Sequence, residues 1–238
     1  MIYLMYHDVL NSVDGASGFK NESAFQYKLL KQDFENQIRL LRDYEVCFTF
    51  DDGGESFITV IAPILEKYSK RGIFFISTKY IGTPGFLSIE QIKELDSRGH
   101  VIGSHSHSHP QNISSLSKDL ILEEWETSIS ILSSILGKKI HTASIPNGYE
   151  SPIVISCARE IGITELFTSK PTTNIKLDKG IRLIGRYVVL DTTSEKLVKK
   201  IVSSKVVRLV YLLKWNILKV LKDILGNYYH KVKNFMRK

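Results

Sequence analysis

The sequence predicts an α/β fold, with a parallel sheet closed or nearly closed by outer helices, and three observations point to it. Short β-branched and aromatic runs alternate with segments of helical apolar spacing, the pattern of strand–helix–strand units rather than of hairpins. The 238 residues suffice for one barrel-like α/β domain with an appendage and fall short of two ordinary domains with linkers. Residues capable of acid–base and metal chemistry follow directly after buried runs, where folds of this kind place their sites.

Taken in order, residues 1–8 read as a first strand carrying Tyr6, His7 and Asp8 at its end. Residues 11–30, with Gly15, Ser17, Gly18 and Asn21, have loop composition and are expected over the site face. Phe34, Ile38 and Leu41 recur at three- and four-residue spacing, so residues 31–44 form an amphipathic helix packed on the sheet. Val46–Phe50 is a buried strand. Residues 57–68 read as a helix, with Pro63 either inside it or ending its first part. Residues 73–77 are the next strand. Ser88 and Gln91 make a capping box that opens a helix closed by Gly99. Val101–Ser104 is again a buried strand, residues 116–136 a longer helix closed by Gly137, and residues 183–184 part of a late strand.

Apolar residues make up 43% and charged residues 24% of the chain, which supports a sizeable core and excludes global disorder. Cys47 and Cys157 lie in apolar settings and read as buried thiols rather than a disulfide framework. The net charge of +7 is unevenly spread. Residues 194–238 hold 12 Lys and Arg against Glu195 and Asp223, a balance of +10, while the remainder holds 20 basic and 23 acidic residues. Within that tail Val206, Leu209, Leu213, Ile217, Val220 and Ile224 fall on one side of a helical wheel. Lys205, Arg208, Lys219 and Lys222 fall on the other, with Tyr211 and Trp215 nearer the basic side. The charges interrupt any apolar run of about 18 residues, so this is an amphipathic helix and not a span. Two readings follow: the apolar face packs on the domain, or it attaches to an anionic membrane surface. Nucleic acid is not expected as a partner, because neither finger spacing nor a Gly-aromatic module is present. The amino terminus has no basic leader or apolar stretch of signal-peptide length, so the expected location is cytoplasmic, peripheral at the inner membrane face.

Asp51 and Asp52 stand side by side where Val46–Phe50 must leave the core. Adjacent carboxylates resist joint ionisation unless positive charge lies beside them, and a divalent metal is the commonest such charge. His105 and His109 would emerge after Val101–Ser104 at the same end of a parallel sheet. One Asp and two His with an open position describe a catalytic rather than a closed structural metal site.

Thr49-Phe50-Asp51-Asp52-Gly53 followed by His105-Ser106-His107-Ser108-His109 resembles the polysaccharide deacetylases of the NodB-homology type, carbohydrate esterase family 4. The early Tyr6-His7 pair is similar to that of members whose motifs are circularly permuted. The resemblance covers about residues 1–190 and implies a NodB-type distorted (β/α) barrel over residues 1–193, with residues 194–238 as a basic amphipathic helical tail. It implies that Asp51 is the general base, that His7 is the general acid, and that Asp52, His105 and His109 hold one divalent metal. Zn²⁺ is the expected ion, with Co²⁺, Ni²⁺ or Mn²⁺ as alternatives. The family's third motif, Arg-x-Pro-x-Gly, is matched at Pro146 and Gly148, but Ser144 stands at the Arg position. Arg182 and Arg186 are candidates to replace it beside Asp51, against the reading that both are solvated strand ends. Tyr149 either shapes a sugar site or packs. The implied activity is metal-dependent removal of N-acetyl groups from an amino sugar or glycan, possibly lipid-linked, in polysaccharide or cell-envelope assembly. The alternative is a non-catalytic glycan-binding or assembly module on the same fold, motivated by Ser144 and Asn147.

Overall fold

A computed structural model describes residues 1–12 and 17–225, with side chains to 220. The chain opens with β1 (Ile2–Tyr6) and the two-residue β2 (Val9–Leu10), followed by the short α1 (Glu22–Phe25) and β3 (Leu29–Leu30), which pairs with β2. Helix α2 (Lys31–Leu40) leads to β4 (Val46–Phe50), α3 (Ala62–Lys67) to β5 (Gly72–Ile76), α4 (Ile89–Ser97) to β6 (Val101–Ser104), and α5 (Lys118–Leu136) to β7 (Thr142–Ser144). Then come α6 (Pro152–Glu160), β8 (Glu165–Phe167), β9 (Lys176–Asp178), β10 (Ile181–Ile184), β11 (Tyr187–Val188), α7 (Glu195–Ser203) and α8 (Lys205–Leu225). Nine strands form one curled, open sheet in the order β11-β1-β4-β5-β6-β7-β8-β10-β9, parallel throughout except for the antiparallel β9–β10 pair. This is the distorted barrel expected from the resemblance.

Local chemistry explains the boundaries. At α4, the Ser88 hydroxyl accepts from Gln91 N while the Gln91 side chain accepts from Ser88 N, so the capping box is complete. Gly137 ends α5 in the left-handed region, at φ 65°. Pro63 does not break its helix. A π-helical turn at Phe57–Ile61 precedes α3, and Pro63 lies in α3's first turn, where its missing N–H costs little. Gly15 lies outside the described residues; of the rest of the stretch expected as loop, 17–20 carry no helix or strand, while Asn21 caps α1 and Leu29–Leu30 pairs with Val9–Leu10.

Outside the sheet, the aromatic rings of Tyr6, Phe34, Phe48, Phe50, Phe57 and Phe74 pack in one core against α2, α3 and α4. Helix α7 joins it, burying Val198, Ile201 and Val202, so the first part of the tail is built into the core. A second cluster, centred on Trp125, lies between α5, α6, β7 and β8. Phe75, Phe167 and Ile184 make a third, flanked by Tyr3 and Ile73. Cys47 and Cys157 are both unpaired.

Packing of that third cluster leaves β6 no room for a side chain at Gly103, where a Cβ would fall 2.7 Å from the Phe75 ring and 2.9 Å from the Thr142 carbonyl oxygen. Gly103→Ala should therefore lower stability by about 1–3 kcal/mol. A lower urea midpoint at unchanged m-value checks this; an unchanged midpoint refutes it.

Candidate active site

The site begins with a turn that no ordinary strand exit would make. After β4, Asp52 takes φ 89° and Gly53 φ 94°, so the chain reverses while the neighbouring strands hold it. Asp51 N donates to Tyr6 O, Ser77 N to Asp52 O and Leu87 N to Gly53 O. A positive φ at a non-glycine residue is strained and persists only where the surroundings fix it. Its consequence is that two consecutive carboxylates have different principal partners, with His105 Nε2 reaching both, 3.5 Å from Asp52 Oδ1 and 3.9 Å from Asp51 Oδ2.

Asp51 meets Arg186. The guanidinium donates from Nη1 to Oδ1 at 2.6 Å and from Nη2 to Oδ2 at 2.8 Å, and both side chains are buried. Arg186 is fixed in turn: Nε donates to Thr168 O and Nη1 to the Thr49 hydroxyl, and the guanidinium lies over the Phe75 and Phe167 rings. Burial pushes the Asp51 carboxyl up, but Arg186, His105 and His7 outweigh it and hold it below the usual carboxylate range. Arg182, the other candidate, lies at the rim, where it pairs with Glu165 at 2.5 Å, and is not brought to the site.

Asp52 meets the histidines. His109 Nε2 lies 3.3 Å and His105 Nε2 3.5 Å from Asp52 Oδ1, and one donor atom from each of the three residues lies within 4.8 Å of the others. Two imidazole nitrogens and a carboxylate oxygen suit a borderline divalent ion such as Zn²⁺ and leave a position for water or substrate. Burial raises the Asp52 carboxyl, yet hydrogen bonds from His105 and His109 bring it well below its ordinary value. For His109 burial works downward and the Asp52 carboxylate wins, raising it. His107 turns away to the Thr78 hydroxyl.

Ser144, which stands where the family pattern has Arg, joins the two halves. Its hydroxyl lies 2.6 Å from His105 Nδ1 and donates to Asp51 Oδ1 at 3.3 Å, and its carbonyl oxygen lies 3.1 Å from the same nitrogen. Both oxygens can accept from an Nδ1–H, and metal binding requires the tautomer that carries its proton there and leaves Nε2 free for the ion. His7, at the end of β1, lies against Tyr27 with ring centroids 4.4 Å apart, and its buried Nδ1 has no hydrogen-bond partner among the described residues. Burial lowers its basicity, while Asp52 and Asp51 pull the other way.

The third-motif turn follows β7. Pro146 is buried, Asn147 takes φ 54°, and a Cβ at Gly148 would fall 2.7 Å from the Ser169 hydroxyl. Asn147 Nδ2 donates to the Pro110 and Gln111 carbonyl oxygens, tying this turn to the histidine loop. Tyr149 packs against the cluster around Trp125.

Three contributors escaped the sequence reading. Glu124 on α5 accepts from His107 N at 3.0 Å, Ser108 N at 2.8 Å and the Ser108 hydroxyl at 2.5 Å, holding the loop that presents both histidines. Nothing in an acidic residue on an amphipathic helix signals this. Asp8 is buried, accepts from the Ser17 and Ser56 hydroxyls at 2.6 and 2.8 Å, and fills the space that side chains at Gly18 and Gly54 would need. Its place beside His7 was a signal available in the sequence. Phe19 packs on His109 at 5.0 Å between centroids and also meets Tyr80 and Phe86, so an aromatic wall flanks that histidine.

Removing Arg186 would strand a buried carboxylate. Arg186→Met should cost about 3–5 kcal/mol of stability, as expected for breaking a buried pair. Arg182→Met, at a partly exposed pair, should cost less than about 1 kcal/mol. Urea unfolding of both variants checks this, and equal losses would contradict it.

The model of the polysaccharide deacetylase family matches residues 41–166, slightly more than half of the chain. The chain is 26% identical over 139 residues to the peptidoglycan-N-acetylmuramic acid deacetylase PdaA of Bacillus subtilis, covering 58% of this chain and 51% of that protein. It spans between a third and about half of the length of the curated relatives it matches, 32% to 51%. Among solved structures, Streptococcus pyogenes deacetylase PplD in complex with acetate superposes with a TM-score of 0.70 at 19% identity, over 85% of this chain and 98% of that one. IcaB from Ammonifex degensii gives 0.67 at 21% identity, over 85% and 97%. At such identities these structures attest the fold, while the family model spans both the acid pair and the histidine loop: the chain belongs to the polysaccharide deacetylase family.

Proposed function

We propose that this protein is a metal-dependent N-deacetylase that removes acetyl groups from an amino sugar or glycan. One observation carries the reading: Asp52, His105 and His109 converge on one point beside a second carboxylate that is held by a different partner. A divalent ion at that point, Zn²⁺ in our reading, would polarise the acetamide carbonyl and acidify water. Asp51 is the general base. The bidentate grip of Arg186 keeps it ionised and fixes its orientation, so that it is placed to accept a proton from the attacking water. His7 is the general acid that delivers a proton to the leaving amine, and Tyr27 fixes its ring. Backbone N–H groups near the turn assist the developing oxyanion. Ser144 and Glu124 act on orientation, the one on His105 and the other on the loop carrying both histidines.

The substrate class rests on the relatives, whose names include deacetylases of peptidoglycan N-acetyl sugars. The binding-module alternative loses its motive, because Arg186 supplies the guanidinium that Ser144 cannot and Asn147 binds the histidine loop. We further assign the chemistry to residues 1–193 and placement to residues 194–238. In that division the enzyme is cytoplasmic, works at the inner membrane face, and meets a lipid-linked acetylated sugar through a tail that holds it to the anionic surface. No helix among the described residues is long and apolar enough to cross a membrane.

Metal content measured by mass spectrometry, with acetate release from N-acetylglucosamine oligomers, tests the chemistry. Wild type should hold about one divalent ion per chain, and Asp52→Ala and chelator-treated protein should lose both ion and activity. His7→Ala should keep the ion while turnover falls about 10²–10⁴-fold. Loss of metal in His7→Ala would make His7 a ligand instead. Absence of metal from wild type even after Zn²⁺ is supplied would remove the reading.

A further inference from the structure

Helix α8 packs on the barrel with the face opposite to the one its apolar stripe suggests. Val207 and Tyr211 join the main core, Tyr211 meets Tyr187 of β11 with ring centroids 6.2 Å apart, and Trp215 lies 5.7 Å from the Lys170 ammonium. Arg208, counted on the basic side of the wheel, turns inward and donates to the Ile201 and Val202 carbonyl oxygens at the end of α7. The stripe is left outside: Val206 is 71% exposed, Leu209 56%, Leu213 53%, Ile217 59% and Val220 55%. Packing on the domain, one of the two readings of this stripe, is therefore not what the helix does with it.

A run of large aliphatic side chains on one helix face, each more than half exposed, is too long to be ordinary surface scatter. Its borders identify the occupant. At 100° per residue, Lys205 flanks the stripe on one side and Lys214 flanks it on the other, both exposed, while Lys219 lies further round with its ammonium 5.4 Å from the Trp215 ring centroid. Two copies of this helix laid stripe to stripe would bring like charges together, which opposes self-association. An anionic lipid surface satisfies both parts at once, taking the aliphatic residues into the acyl boundary and the ammonium groups among its phosphates.

We propose that the outward stripe Val206, Leu209, Leu213, Ile217 and Val220, with Lys205 and Lys214, is a docking surface for the anionic phospholipid bilayer. It deepens the proposed placement of the deacetylase at a membrane by naming the face that makes contact, and it rests on that reading for its purpose only. The docked helix is also tied to the site. Lys170, under Trp215, lies two residues beyond Thr168, whose carbonyl oxygen holds Arg186. The helix that meets the bilayer is thus braced against the loop that supports the general base.

Flotation of the metal-loaded full chain with vesicles tests this. Wild type should float with phosphatidylglycerol vesicles and not with phosphatidylcholine vesicles. Leu213→Glu/Ile217→Glu should lower partitioning at least about tenfold while keeping metal content and circular dichroism unchanged. The substituted side chains are more than half exposed and belong to none of the three core clusters, so acetate release from a soluble substrate should also persist in that variant. Equal flotation of variant and wild type would overturn the assignment of the face. So would a wild-type dimer by sedimentation that the substitutions dissociate while neither protein floats. Flotation by wild type that never releases acetate from any acetylated sugar would uphold the docking surface and sink the deacetylase reading instead.

Discussion

Two consecutive buried carboxylates at the end of one strand are the constraint from which the rest of this site follows. Neither could remain ionised in the core without a positive partner, and a shared partner would leave them competing. The positive-φ turn at Asp52 and Gly53 resolves this by sending Asp51 inward to Arg186 and Asp52 outward to His105 and His109. That division needs β1, β5, β6, β7 and β10 to end at the same level around β4, and the curled parallel sheet delivers it. It also needs a guanidinium that cannot swing away. Thr168, Thr49, Phe75 and Phe167 remove that freedom from Arg186, so the fold's interior sets the geometry of the acid at its mouth.

Much of this was legible because the signals were local. Strand β4 has the bounds that its apolar run indicates, the Ser88–Gln91 box opens α4, and Gly137 closes α5, each through contacts within a few residues. The donor set was legible for a related reason: a buried strand followed by ligand-type residues identifies both position and chemistry. Where the reading left two choices, the deciding contacts were long-range. Arg182 lies within β10 and Arg186 two residues beyond its end, and only tertiary packing sends one to the surface and the other to Asp51. A clue did exist in Gly185, whose Cβ would fall 2.3 Å from the Lys170 carbonyl oxygen, since a glycine before Arg186 marks a close approach of two chains. Short strands such as β7 and β8, at three residues each, lie below the length at which periodicity speaks.

The missing third-motif Arg illustrates how a site can keep its electrostatics while its sequence pattern changes. What Asp51 requires is a bidentate cation of fixed orientation, and the strand that supplies it is immaterial provided the guanidinium arrives from a buried direction. Arg186 comes from beyond β10, which frees the Ser144 position for a small residue able to accept from His105 and donate to Asp51. A guanidinium at position 144 offers donors only and could not accept a hydrogen bond from His105. The serine therefore couples Asp51 to His105 in a way that an arginine there would not.

The tail follows the same logic of opposed demands on one element. Helix α8 is apolar over more of its circumference than one interface can cover, and packing must choose a side. Aromatic residues decide it: Tyr211 and Trp215 present large rings that find Tyr187 and Lys170, whereas the stripe from Val206 to Val220 is aliphatic and finds no facing groove. A helical wheel cannot anticipate that outcome, because it ranks faces by mean polarity, while burial on a barrel is won by shape and by partners already in place. The polar-looking side goes in because its rings and its arginine have partners there. The aliphatic side has none and is left exposed.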